Sequence, residues 1–182
     1  QVVALETADV AALKTSQVAA LGTAQVAALT TSQVQQGLTT AQVVALSTAQ
    51  VRQGLTTAQV AALTSTQVAA LETRDVAALG TAQVAALTTD QVQSGLSTGQ
   101  VAALTTAQVQ QGLTTAQVVA LSTAQAQSLT TAQVAALSTA QVVALETADV
   151  AALKTSQVAA LGTAHVAALT TAQVQQGLTT AQ

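Results

Sequence analysis

The chain contains no cysteine, proline, methionine or aromatic residue, and only 6% of its 182 residues are charged. Each absence excludes something. Without cysteine there is no disulfide framework, no thiolate nucleophile and no zinc knuckle. Without aromatics or methionine, a wide globular core has no large pieces to fill it. Four Lys and Arg against seven Asp and Glu leave a net charge of −3. No basic stripe exists, so nucleic acid meets no electrostatic attraction. Apolar runs are short and broken by Thr and Gln, so neither membrane insertion nor a signal peptide is expected. One His cannot build a metal cluster or anchor a triad. No catalysis, cofactor, metal or small-molecule substrate is indicated. What remains is 22 Leu and 25 Val, about a quarter of the chain, more than disorder allows. A thin, evenly distributed core follows.

Those residues are placed by a repeat. Leu recurs from Leu5 to Leu178 at a spacing of eight, or of nine in five intervals. Counted from Leu, the unit reads Leu-x-Thr-Ala-Gln-Val-Ala-Ala. The third place is Thr except for Ser65, and the sixth is Val except for Ala126. The fifth is Gln except for Asp9, Asp75, Asp149 and His165. Only the second place varies widely, accepting Glu6, Lys14, Gly22, Thr30 and Ser47, so it must face water. A longer period lies above this one: residues 1–42 recur as 141–182 with two differences, a block of 140 residues or 17 units. Residues 1–182 therefore form one continuous array, expected to be a slice of a longer chain.

Eight residues at 100° each carry successive Leu 80° around a helix axis, so one long helix forms no apolar stripe. The Thr-Thr or Ser-Thr pair in most units also interrupts a helix. Read piecewise, each unit is one helix of about five or six residues. Second-place Thr or Ser stands three residues before Gln, a capping-box spacing, with Leu and Val placed as a hydrophobic staple. Third-place Thr is the rival cap, and its invariance favours it. The nine-residue units end in Gly before Leu (Gly37, Gly54, Gly95, Gly112 and Gly177), where a left-handed C-cap is expected. Helices this short survive only by stacking. The fold expected is an all-α solenoid, a superhelical rod with one very short helix per repeat; a β-solenoid of Thr and Val strands is the alternative. Two or more units should make each turn. With two, the rod would have eleven layers of about 8–10 Å and span about 100 Å, against about 270 Å for a continuous helix.

The polar exceptions have solvated readings. Glu6 and Asp9, repeated as Glu146 and Asp149, with Lys14 and Lys154 in the next unit, occupy places expected to be exposed at a helix start. The same holds for Glu72, Arg74 and Asp75. Catalytic carboxylates would need a desolvated pocket. His165 replaces Gln25 of the sister block and reads as a tolerated polar substitution. Rows of Thr could present a regular hydroxyl face, similar to those of some ice-binding proteins. Thr and Gln are expected on the flanks of the rod, free to bond laterally.

Residues Leu38-Thr39-Thr40-Ala41-Gln42-Val43-Val44-Ala45-Leu46 and 113–121 resemble the opening of a TAL-effector repeat helix. The likeness stops after nine residues, without that family's Pro or base-reading pair, so DNA reading is not carried over. The whole chain is more similar to Thr-Ala-Gln-Val arrays of large secreted bacterial adhesin-like surface proteins. That resemblance implies an exported filament, stalk or spacer at the cell surface, self-associating into fibres. An ice-binding or adhesive Thr surface is the second expectation.

Overall fold

The computed structural model describes residues 2–180 and 182. Among them there is no strand, and each unit from Leu5 to Leu169 forms one short helix. Typical helices are Thr57–Ala62, Ser65–Ala70 and Thr131–Ala136. Leu and the second-place residue make the corner between one helix and the next. Leu closes the helix behind it, as in the N–H of Leu21 donating to the Val18 carbonyl at 3.1 Å. The second-place residue, extended at φ −75° and ψ 159° for Thr39, opens the helix ahead. It is the N-cap. The third-place Thr is the first helical residue instead of the cap, because the reach from the N-cap hydroxyl to the Gln N–H favours the place before it.

Every strong helix contact between turns joins a unit to the third one along: Thr7–Ala12 with Gln33–Gly37, Ser65–Ala70 with Gln91–Gly95, Thr123–Ser128 with Thr147–Ala152. The solenoid therefore has three units per turn, and its 22 leucines make about seven layers. Two units per turn, the figure behind a 100 Å rod, is too few. With a two-residue corner, three one-turn helices are needed to bring the chain back over itself.

The interior is a single column. From Val10 to Val150 the sixth place of every unit is buried, and from Leu29 to Leu153 so is every Leu. Second-place residues lie outside or half outside. The nine-residue units depart from expectation in one respect. No described residue has a positive φ, so their Gly residues are not left-handed caps. The extra residue is absorbed by a single π turn, in which the Leu38 N–H reaches back to the Gln33 carbonyl at 3.0 Å. Gly is required there for close approach. A Cβ on Gly37 would stand 3.0 Å from Val10 Cβ and 3.1 Å from the Thr7 carbonyl oxygen in the layer below.

Candidate functional site

A one-turn helix leaves most of its amide and carbonyl groups without partners, and stacking apolar side chains does not satisfy them. The fifth-place Gln does. Gln108 is representative: its Oε1 accepts the N–H of Thr105 at 2.7 Å, and its own N–H donates to the Thr105 hydroxyl at 3.2 Å. That closes a reciprocal capping box. Its Nε2 donates downward to the carbonyls of Val76 at 2.8 Å and Leu79 at 2.7 Å. In the layer below, Val76 lies in the helix Thr73–Ala78 and Leu79 at the corner that ends it. One carboxamide thus caps the start of its own helix and the end of another.

The arrangement recurs through the stack. Gln42 reaches Val10 and Leu13, Gln83 reaches Val51 and Leu55, and Gln141 reaches Val109 and Leu113. Between layers these side chains are buried; Gln117 is 2% exposed. The expectation that Gln lies on the flanks is corrected here. Fifth-place Gln lines the seams between layers; among the described residues it is exposed at Gln17 and Gln25 in the first turn and half-buried at Gln182. Where the second place is Glu6, Lys14 or Gly22, no side chain caps the Gln or Asp N–H. The fifth-place half of the box remains: Gln17 and Gln25 accept the Lys14 and Gly22 N–H groups at 2.8 Å.

The exceptions fall at the same place in the seam. His165 imitates Gln, its Nδ1 facing the Gly162 N–H at 3.2 Å and its Nε2 the Leu137 carbonyl at 2.7 Å. Asp9 lies in the first turn, exposed, accepting the Glu6 N–H at 2.9 Å. Asp75 and Asp149 do not sit on a solvated face. They are 0% and 1% exposed, because the layer beneath covers the fifth place. Both oxygens of Asp75 and Oδ2 of Asp149 lack a hydrogen-bond partner. Burial pushes the Asp149 carboxyl up to about 6, against the pull of the Glu146 N–H. Burial also raises Asp75, against the neighbouring Arg74. Arg74 pairs with Glu72 at 2.6 Å on the exposed rim, a contact of little energetic weight. Glu6, Lys14, Glu146 and Lys154 are exposed as expected. The third-place Thr residues are exposed or half-buried, one to a unit.

Fold and seam together define an α-helical repeat protein of solenoid type, three one-turn helices to the layer, stitched by buried carboxamides. A family model described as the ALTTAQ repeat matches residues 2–36, 37–73, 68–106, 111–139 and 142–180, and the chain belongs to that family. No curated protein and no solved structure matches it.

Proposed function

We propose that this repeat protein is a section of a structural rod, serving as a stalk, spacer or filament at the outside of a cell, and that it is not an enzyme. The observation that carries the reading is the seam of Gln side chains. It joins layer to layer along the array, and its purpose is fully spent on holding the array together. A chemistry-bearing site would make one unit unlike the others in shape as well as in charge. No described helix is long and apolar enough to cross a membrane. Display outside the cell is tested by labelling intact and permeabilised cells with an antibody raised against this chain. Label confined to permeabilised cells would refute export.

Self-association belongs to the same proposal. The first turn offers half-exposed Leu5, Leu13 and Leu21 with the Nε2 groups of Gln17 and Gln25, and the last offers Val166 and Val174, 55% and 48% exposed. These surfaces are the two halves of one seam. Light scattering across a concentration series should show growth beyond the 17.9 kDa species; a constant mass would refute it. A second reading, a Thr-based ice-binding or adhesive surface, is favoured by the third-place hydroxyls, exposed in most units and half-buried in the rest. Inhibition of ice recrystallisation by the soluble chain would support it against the plain rod.

A further inference from the structure

The seam has two places where its donor is missing. Gln67 reaches Val34 and Leu38, and Gln83 reaches Val51 and Leu55. The same register sets Asp75, between them, over the carbonyls of Val43 and Leu46. Likewise Gln141 reaches Val109 and Leu113, and Gln157 reaches Leu129, which sets Asp149 over Val118 and Leu121. At both places the carboxamide nitrogen and one methylene are gone. What meets there is oxygen: below, the carbonyls of Leu46 and Leu121 beside those of Val43 and Val118, which already accept the Leu46 and Leu121 N–H at 3.1 and 3.2 Å, and above, a buried carboxylate with both oxygens of Asp75 and Oδ2 of Asp149 unpartnered. A second observation comes from the sequence. Glu occupies the second place in three units only, as Glu6, Glu72 and Glu146, and these are the units whose fifth place is Asp9, Asp75 and Asp149. A carboxylate at the rim accompanies each one in the seam.

We propose that Asp75 and Asp149, with the carbonyls beneath them, form two binding sites for a calcium-class cation. Side-chain ligands alone would not suffice, since no three described His, Cys, Asp or Glu residues gather. The main chain supplies the remaining oxygens. Calcium accepts carbonyl and carboxylate oxygens in irregular numbers, whereas magnesium demands a regular octahedron and keeps its waters. The cation replaces the two N–H bonds of the absent Gln with ion–dipole contacts and so closes the seam. Glu146 and water entering from the rim complete the shell at Asp149. Segments 113–128 and 169–177, which pack below and above, hold no charged residue, and Lys154 in the next unit is exposed. At Asp75 the Glu72 carboxylate is engaged by Arg74, so that site is the weaker. Asp9 has no layer beneath it in this chain and forms none.

The test is calorimetric titration of the 182-residue chain, stripped with chelator, with calcium chloride at about pH 8, above the carboxyl pKa. Saturable binding of two ions is expected, in the range of about 10⁻⁴–10⁻³ M found for extracellular modules, with magnesium failing to replace calcium at equal concentration. Asp149→Gln should remove the tighter site and Asp75→Gln the weaker. Both variants restore the residue used by other units, so they fold. The double variant should bind nothing and melt at a temperature that calcium no longer raises. Absence of saturable binding up to about 10 mM would overturn the proposal and leave a proton as the sole occupant. Binding that survives in the double variant would overturn it too, by placing the ion on surface carboxylates.

Discussion

A carboxamide can accept hydrogen bonds at its oxygen and donate two from its nitrogen, and the seam uses both functions. Glu would lack the donors and Asn the reach. Gln108→Leu keeps the bulk but strands the Thr105 N–H and the Leu79 carbonyl, while the Val76 carbonyl keeps only the Leu79 N–H at 3.3 Å. At about 1–3 kcal/mol for each buried unsatisfied group, a loss of at least 2 kcal/mol in urea denaturation is expected; a neutral result would mean that water replaces the side chain. Asp149 titrates the other way from most carboxylates. Lifted from 3.8 to about 6 by burial, it holds its proton more tightly folded than unfolded. Its contribution is full below pH 3.8 and lost as pH rises through 6, on the order of 3 kcal/mol in all. In chelator the chain should melt lower at pH 7 than at pH 4.5, and Asp149→Gln should reduce the difference. The role of Gln was visible in the sequence in one respect. The second place drifted to Glu, Lys and Gly, whereas the fifth accepted only Asp and His, both able to hydrogen-bond. That restriction marks a buried polar partner, but its partner lies about 30 residues away, beyond any local pattern.

Between residues and rod stands the one-turn helix, whose Leu and Val were legible because their period is rigid and their chemistry unambiguous. The cap was legible only as a choice between neighbours, since Thr fits both places and only backbone geometry separates them. In the nine-residue units Gly is explained by what lies under it rather than by its own φ. Gly112→Ala would put a Cβ 3.1 Å from Val84 Cβ and 3.2 Å from the Thr81 carbonyl oxygen. A loss of about 1–3 kcal/mol should follow, readable as a lower denaturation midpoint, and an unchanged midpoint would show that the layers separate freely there. Ala126 is the opposite defect, a small residue in a Val place. Above it, Gln157 stretches to 3.4 Å from the Ala126 carbonyl, where Gln141 sits 2.7 Å from that of Val109. The helix Thr155–Val158 is only four residues long. Ala126→Val should add about 1–2 kcal/mol by filling the column; destabilisation in the same assay would mean that the layers have already closed around the gap.

At the scale of the molecule, stacking was legible because helices this short cannot stand alone, but the number per turn was not. It depends on corner angles that Leu and the second-place residue adopt only once the next layer is present. Three per turn shortens the rod. About seven layers at roughly 8–10 Å give a long dimension of about 60–70 Å. Small-angle scattering extrapolated to zero concentration should find it; a maximum dimension near 100 Å would restore two units per turn.

Three to a turn also fails to divide the longer period. The 140-residue block contains 17 units, one short of six full turns, so the block works as a vernier against the rod. Asp9 and Asp149 are the same residue of successive blocks, yet they lie on neighbouring sides of the axis. A third block would carry its copy to the remaining side, and a fourth would return it to the first. Any feature that duplication copies, whether a charge, a cation site or a row of hydroxyls, is thereby dealt evenly around the circumference. Lengthening such a rod by whole blocks cannot give it a front and a back.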